Sequence, residues 1–379
     1  MVKQRKTVSK QKKTPKNESV FTNFKKWVSR SVWRRISAGI FAILFLFVAC
    51  CYSLSLWYEN KHKDEPLIIG TTFVAGYSRY FGLEPKETLQ AMISDLGFKQ
   101  FRLVSYWNEI EDVQGEYDYS DLDWQFRMIE EAGGKISLAI GLRQPRWPEC
   151  HMPKWAESMP MTEWEPKLNA FMKQTMERYK TSPALESYQL ENEFFLDVFG
   201  ICPDHSRERL VREYNFVRPI DTERPIIITR SNNALGYPLG DPRPDEFGVS
   251  VYKRVWDKTI TKRYFEYPLP AWFYGSLAGG GEILTGKKLI IHELQTEAWL
   301  PDTGEFAMND IHDIPEQNKS MNADRLEKRI EYGKASGIKT MYTWGAEWWY
   351  WRKVVADDPS LWNVVKDQLA EAERENASR

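Results

Sequence analysis

The chain has 379 residues, 42% hydrophobic and 28% charged, with a formal net charge of -1. These proportions exclude a disordered, collagen-like or coiled-coil protein and leave enough apolar sequence for a large core. The balance of charge is uneven: Met1 to Arg35 holds twelve Lys and Arg against Glu18 alone, +11, so Ile36 to Arg379 carries -12. An acidic bulk of this size repels a phosphate backbone, which argues against nucleic acid as a partner.

In chain order, the basic tail (1–35) is followed by ISAGIFAILFLFVACCYSLSLWY, Ile36 to Tyr58, 23 positions without a charge. That is helix enough to cross a hydrocarbon core of about 30 Å. A cleaved signal peptide is the rival reading, and Phe47-Val48-Ala49-Cys50 weakly resembles a lipoprotein cleavage box. The positive flank predicts a cytoplasmic N-terminus, with everything after Tyr58 outside and Trp57-Tyr58 at the outer interface. The expected organisation is a single-pass signal-anchor in the cell membrane, a short polar stalk (59–65) and one exported domain (66–379). Cys50 and Cys51 fall in the span, leaving Cys150 and Cys202 as one possible bridge. There is no C-x-x-C, no H-E-x-x-H and no histidine cluster, so no metal and no cofactor is expected.

From Pro66 onward, short runs rich in Val, Ile, Leu, Phe and Tyr alternate with longer amphipathic stretches, the pattern of βα units in a parallel sheet. Eight strands are predicted: Leu67 to Thr72, Gln100 to Val104, Lys135 to Gly141, Leu185 to Leu190, Pro225 to Thr229, Phe247 to Tyr252, Lys288 to His292 and Lys339 to Thr343. Helical patterns lie between them over Pro85 to Leu96, Leu122 to Ala132, Glu165 to Tyr179, Ser206 to Phe216 and Asn322 to Ala335, with a last one near Pro359 to Glu373. Gly97, Gly133 and Gly337 sit where a left-handed cap returns the chain to a strand. Eight such units predict an α/β (β/α)8 TIM barrel behind the single N-terminal transmembrane helix, with function at the strand ends. A doubly wound open sheet is the alternative. It calls for a Gly-rich phosphate loop, and Gly70-Thr71-Thr72-Phe73-Val74-Ala75-Gly76 has neither G-x-G-x-x-G nor the Walker lysine.

Two carboxylates stand at predicted strand ends: strand four closes as Tyr188-Gln189-Leu190-Glu191-Asn192-Glu193, and strand seven as Leu289-Ile290-Ile291-His292-Glu293. Three βα units apart, they face each other across a barrel mouth. Such a pair can cleave a glycosidic bond, one group giving a proton to the leaving oxygen while the other attacks the anomeric carbon. The acid must hold its proton near neutral pH, which burial and a neighbouring negative charge accomplish.

The order Asn-Glu at strand four and Glu at strand seven resembles the retaining (β/α)8 glycoside hydrolases, the clan that includes families 5, 10 and 42. Phe101-Arg102-Leu103, the run Tyr106-Trp107-Asn108-Glu109-Ile110-Glu111 and Gly115-Glu116-Tyr117-Asp118-Tyr119 are similar to the clan's strand-two region. Leu142-Arg143-Gln144-Pro145-Arg146-Trp147 with Pro153-Lys154-Trp155 resembles its Pro-x-Trp loops, and strand eight ends in Tyr342-Thr343-Trp344. The resemblance implies Glu193 as acid/base, Glu293 as nucleophile, Asn192 on the sugar 2-hydroxyl and Arg102 donating charge-assisted hydrogen bonds to the nucleophile. It also implies that Tyr252 contacts Glu293 and that Trp344 floors a sugar subsite, while Trp107, and Trp299 as a flat ring in the loop after strand seven, are expected to contact substrate.

Glu297, in His292-Glu293-Leu294-Gln295-Thr296-Glu297, is an alternative nucleophile or a substrate-binding group, and Glu191 reads as structural. Thirteen Trp lie in the exported region, four of them (Trp344, Trp348, Trp349, Trp351) within eight residues after strand eight. Some are expected to line a cleft, because flat rings stack on sugar faces. The expected activity is an O-glycosyl hydrolase of carbohydrate metabolism whose partners are an oligo- or polysaccharide and the lipid bilayer. A catalytically inactive carbohydrate-binding barrel, a transglycosylase and a tethered interaction module are the competing readings. The stretch Lys253 to Lys288 and the insert Leu300 to Asn318 are expected to shape the groove.

Overall fold

The structure, a computed structural model, describes residues 27, 31–196, 202–231 and 237–378. The expected basic tail (1–35) falls almost wholly outside these residues. The chain forms two compact units, Met1–Cys51 and Tyr52–Arg379.

Helix α1 (Val32–Lys61) is long and apolar enough to cross a membrane. In the first unit its large apolar side chains, including Phe41, Leu44, Phe45 and Phe47, are exposed. In the second unit, from Tyr52 onward, one face of the helix packs against protein, with Ser55 and Tyr58 buried, while Tyr52, Leu56 and Trp57 stay exposed.

The expected polar stalk over 59–65 is therefore corrected. Glu59 to Lys61 are helical, and His62 is buried with its ring nitrogens 2.7 Å from Glu65 Oε1 and 2.8 Å from Glu282 Oε2. Lys288 Nζ reaches Glu65 at 2.9 Å. A segment held by this many charge-assisted contacts is part of the folded unit.

The second unit is a closed eight-stranded parallel barrel of β1 (Ile68–Thr72), β2 (Gln100–Val104), β3 (Lys135–Ile140), β4 (Leu185–Leu190), β5 (Ile226–Arg230), β6 (Glu246–Val251), β9 (Leu289–Gln295) and β10 (Thr340–Trp344). An antiparallel hairpin of β7 (Arg254–Asp257) and β8 (Arg263–Glu266) is inserted after β6. Parallel strands covered on both faces are near-continuously apolar, which is why the eight runs were readable. All eight are found within a residue of expectation, except that the seventh continues to Gln295.

The outer layer includes α3 (Pro85–Ser94), α5 (Ser120–Glu131), α6 (Met161–Tyr179), α7 (Arg207–Val217), α8 (Ala271–Thr285), α10 (Ala323–Lys334), α11 (Ala346–Val354) and α12 (Ser360–Ala377). Short helices α2 (Ala75–Tyr80), α4 (Trp107–Ile110) and α9 (Ile314–Ser320) lie in the βα loops. Local chemistry sets the ends. Ser206 and Asn322 side chains cap α7 and α10 by accepting from Arg209 N and Arg325 N, and Gly97, Gly133 and Gly337 have φ of +84°, +68° and +77°.

Helix α8 was not expected, and it takes up much of the stretch read as groove. Its Gly279-Gly280-Gly281 run is helical, because small residues let another helix approach: a Cβ on Gly275 would meet Ser55 Oγ at 2.3 Å, and one on Gly279 would meet the Leu54 carbonyl at 2.7 Å. Glycine weakens a helix in isolation, and here tertiary packing overrides that preference.

The seventh barrel strand, β9, carries a bulge. Val249 pairs with Ile291 but Ser250 with Glu293, and Met341 pairs with Ile291 but Thr343 with Leu294, so His292 is an extra residue in both ladders. Ile290 faces the barrel interior, packed with Ile227 and Tyr342 apart from the main core. His292 also faces inward, its Nε2 3.1 Å from Ser137 Oγ on β3. Strict alternation would turn Glu293 out toward the helices, and the extra residue brings it back to the inside.

Candidate active site

Glu193 lies just past the end of β4 and is almost fully buried. Its backbone N–H donates to Thr229 Oγ1 at 2.9 Å, which anchors the turn to β5. Burial, and then the negative charge of Glu293, push its carboxyl up to about 7, while hydrogen bonds from Ser250 and Ser231 and the charge of Arg143 pull the other way. A carboxylic acid held protonated near neutral pH is a proton donor.

Glu293 is set in the opposite kind of environment. Arg102 Nη2 donates to its Oε2 at 2.6 Å, and the Tyr252 hydroxyl donates to its Oε1. Burial, and then the charge of Glu293, push the Tyr252 phenol well above its ordinary value, so it keeps the proton it donates. Arg102 is fully buried and is itself fixed by Nε to Thr72 Oγ1 at 2.8 Å and Nη1 to Gln189 Oε1 at 3.4 Å. Gln189 Nε2 in turn donates to Asn192 Oδ1 at 2.9 Å, which ties the nucleophile candidate's support to the Asn-Glu turn.

A ring of further groups braces this pair. Glu191 accepts from Leu142 N at 2.6 Å and Arg143 N at 3.0 Å, and it contacts the guanidinium of Arg209, itself paired with Glu213. Its structural reading stands. Arg143 Nε donates to Glu149 Oε2 at 3.0 Å, and its Nη1 donates to the Leu196 carbonyl at 2.7 Å. Burial, and then the charge of Glu193, hold the Glu149 carboxyl well above the usual range. Cys150 and Cys202 form a disulfide, Cα atoms 5.4 Å apart, that staples the loop after β3 to the loop after β4. Four of the seven non-glycine residues with positive φ among the described residues are Arg146, Glu149, Glu191 and Glu193. Backbone strain is thus gathered in the two loops beside the carboxyl pair, the usual place for it in an active site.

Arg146 was quoted from the sequence only as part of a loop motif, yet its guanidinium lies between two rings, 3.2 Å from the Tyr77 centroid and 4.3 Å from that of Trp344. Its Nη1 and Nη2 lie 3.4 and 3.5 Å from Glu297 Oε2. Glu297 therefore belongs to a different cluster from Glu293, and its Oε1 makes no hydrogen bond among the described residues. Glu347 completes that cluster: it accepts from Val74 N at 2.6 Å, and its carboxyl is pushed up to about 7 by burial. A lone acid within an otherwise aromatic run, Gly345-Ala346-Glu347-Trp348-Trp349-Tyr350-Trp351, was the signal that could have found it.

The structure thus brings Arg102, Asn192, Glu193, Tyr252 and Glu293 together, with Trp344 beside them, 5.3 Å from the Arg102 guanidinium. Trp299 packs edge-on to Tyr252 with centroids 5.5 Å apart. Trp107 is placed elsewhere. It is fully buried against Trp155 and Phe171, with its indole N–H on Glu111 Oε2 at 2.6 Å, so it packs the core and presents no face to a ligand. Of the four tryptophans after strand eight, Trp348, Trp349 and Trp351 are likewise fully buried and line no cleft, which leaves Trp344 alone of the four beside the carboxyl pair. The Trp348 and Trp349 indoles donate to Gln317 Oε1 and the Thr296 carbonyl, and satisfied N–H groups are what allow such rings into a core.

No family model and no curated protein matches this chain. Solved structures do. A β-galactosidase from the Antarctic haloarchaeon Halorubrum lacusprofundi aligns over 81% of this chain and 58% of its own, with a TM-score of 0.54 at 11% identity. A GH5_18 variant from Bifidobacterium longum in complex with Manβ1-4GlcNAc aligns over 80% and 78%, with a TM-score of 0.55 at 9% identity. The exo-β-1,4-mannosidase Op5Man5 from an Opitutaceae bacterium aligns over 82% and 60%, with a TM-score of 0.52 at 14% identity. The chain thus spans about three fifths of the first and third of these proteins, and it shares the barrel fold of glycoside hydrolases.

Proposed function

We propose that this chain is a membrane-anchored retaining glycoside hydrolase that cleaves O-glycosidic bonds of a glycan outside the cytoplasm. The observation that carries the reading is the unlike treatment of two buried carboxyls at one mouth: Glu193 is held protonated near pH 7, and Glu293 is clamped by Arg102 and Tyr252. Unlike environments for paired acids are how acid and nucleophile roles are assigned.

In the first step a Glu293 oxygen attacks the anomeric carbon while Glu193 gives its proton to the leaving oxygen, so the glycosidic C–O bond breaks as a glycosyl ester forms. Glu193, now ionised, takes a proton from water, which attacks the same carbon and expels Glu293. Two inversions retain the configuration. Asn192, its amide oxygen engaged by Gln189, offers its NH2 to the sugar 2-hydroxyl. Trp344 and Trp299 supply ring faces, and Glu297 holds Arg146 against the Trp344 ring. Export is supported by the apolar helix α1 behind a positive flank and by the Cys150–Cys202 disulfide, a bond that persists outside the reducing cytoplasm.

The test is hydrolysis by the full chain in detergent micelles, offered aryl glycosides and a range of plant, fungal and bacterial polysaccharides, beside Glu193→Gln and Glu293→Gln. Loss of sugar release from polysaccharides in both variants, with the anomer retained in the wild-type product by NMR, is the expected result. Binding without turnover by folded protein would replace the hydrolase with a carbohydrate-binding barrel, and release by Glu293→Gln at the wild-type rate would move the nucleophile elsewhere.

A further inference from the structure

The loops beyond β6 and β9 border an open, groove-like cavity of about 500 Å³ that the two-carboxylate chemistry leaves unused. One wall is the β7–β8 hairpin, and the other is the insert over residues 301–319. The walls are tied together by Lys258 Nζ to Asp302 Oδ2 at 3.1 Å, by the Tyr264 hydroxyl to Glu316 Oε1 at 3.0 Å, and by Arg254 Nε to the Lys319 carbonyl at 2.7 Å. Contacts between elements from different parts of the chain mark a built cavity, which a gap beside a loose loop would lack.

Its charge runs against the rest of the molecule. Arg254, Lys262, Arg263 and Lys319 line it against Glu305 and Glu316, in a chain that carries -12 beyond the basic tail. Two of these cations are already compensated, Lys319 by Glu316 and Arg254 by Glu266 at 3.7 Å. Arg263 faces Asp257 across the hairpin, but both Asp257 oxygens are taken by the backbone N–H groups of residues 259–261, so among the described residues neither Lys262 nor Arg263 has an ion-pair partner. Aromatic rings accompany the charges: Trp256 packs edge-on to Tyr264 with centroids 5.2 Å apart, and Phe306 lies on the opposite wall. Rings for sugar faces beside cations for acidic substituents are the two contacts an acidic sugar requires.

The elements that line the cavity continue directly from those that carry the carboxyl pair. Arg254 is two residues past Tyr252, and the N–H groups of Lys253 and Arg254 donate to Gln295 Oε1, two residues past Glu293, at 2.9 and 3.0 Å. Trp299, which packs on Tyr252, leads directly into the insert wall at Pro301.

We propose that this cavity is a subsite for sugar residues bearing an acidic group, carboxylate or sulfate, and that the glycan cleaved at the carboxyl pair is therefore anionic. The cleavage half of this statement rests on the glycosidase reading, and the binding half does not.

The test is calorimetric binding to the full chain in micelles, carrying Glu193→Gln to stop turnover, with three tetrasaccharides: tetragalacturonate, a chondroitin sulfate fragment and neutral mannotetraose. At low salt at least one acidic tetramer should bind about tenfold tighter than the neutral one, and 0.5 M salt should erase that margin. The double reversal Lys262→Glu with Arg263→Glu should remove it too, while the neutral tetramer is unaffected. The milder Lys262→Gln with Arg263→Gln pair, checked for an unchanged melting temperature, guards against a folding artefact, and Trp256→Ala should weaken every tetramer that binds. The acid that binds identifies the substituent.

Acidic tetramers bound no tighter than mannotetraose, or a margin that survives the reversal, would overturn the subsite. Turnover of aryl glycosides by the wild-type chain is scored separately. Turnover without acidic preference sinks the subsite alone, and acidic preference without turnover of any substrate sinks the glycosidase reading and leaves the subsite in place.

Discussion

The ends of β4 and β9 offer the same functional group, a buried glutamate, in contrary settings. Glu193 is surrounded by hydroxyl donors and by the charge of its counterpart, and its proton is retained to about pH 7. Glu293 receives a guanidinium and a phenol. Residue type alone does not separate a proton donor from a nucleophile; the neighbours make the difference, through burial, charge and donated hydrogen bonds.

The largest effect that could break this contrast is on chemistry. Glu293→Gln is expected to lower kcat on the order of 100,000-fold, since no group then attacks, and azide should rescue Glu293→Gly with a product of inverted configuration. Glu193→Gln is expected to cost about 100- to 10,000-fold with poor leaving groups and little in the first step with dinitrophenyl glycosides, which leave without a proton. Equal losses from both substitutions on every substrate would erase the distinction.

A sharper probe is pH. The free-enzyme profile of kcat/KM should fall as pH rises through about 7, where Glu193 loses its proton. Glu293→Gln removes a neighbouring negative charge and should lower the Glu193 value, read by carbon NMR of labelled glutamate. The same shift links to stability. The Glu193 carboxyl titrates near 4.5 when unfolded and near 7 when folded, so its contribution is fully present below 4.5, is lost progressively as pH rises to 7, and stays constant above. The melting temperature of Glu193→Gln should consequently depend less on pH across that window than that of the wild type.

Smaller effects concern the clamp and the rings. Tyr252→Phe deletes one hydrogen bond to a charged oxygen and is expected to lower kcat about 10- to 100-fold with a folded barrel. Trp299→Ala should raise KM several-fold with little loss of stability, whereas Trp107→Phe should lower the melting temperature and leave KM alone. A KM effect at Trp107 would contradict its placement in the core.

Much of the barrel was legible because its signals are local. Buried parallel strands read as apolar runs, and glycine caps mark helix ends, so the eight strands came out nearly in place. What escaped depends on distant partners. The Gly279-Gly280-Gly281 run looks like a loop until the helix it admits is known, and Trp348 and Trp349 look like cleft residues until their indoles find Gln317 and Thr296. The bulge at His292 has no signature in a run of Leu, Ile and His, although it decides which way Glu293 points. Arg146 and Glu347 come from distant parts of the barrel sequence and meet only in three dimensions, as do Glu149 and Glu193.

The packing of α1 on α8 also bears on how the protein can be handled at the bench. Tyr52 meets Trp272 edge-on with centroids 5.9 Å apart, Ser55 and Tyr58 sit over Gly275 and Gly279, and Lys61 with His62 grips Glu282. Truncation at Lys61 would strip a glycine-lined trough bare and leave it sticky, whereas a fragment opened near residue 51 keeps its own plug. The fragment to express therefore begins inside what hydropathy alone marks as lipid-facing, and one that starts at residue 52 is expected to melt at a higher temperature than one that starts at residue 62.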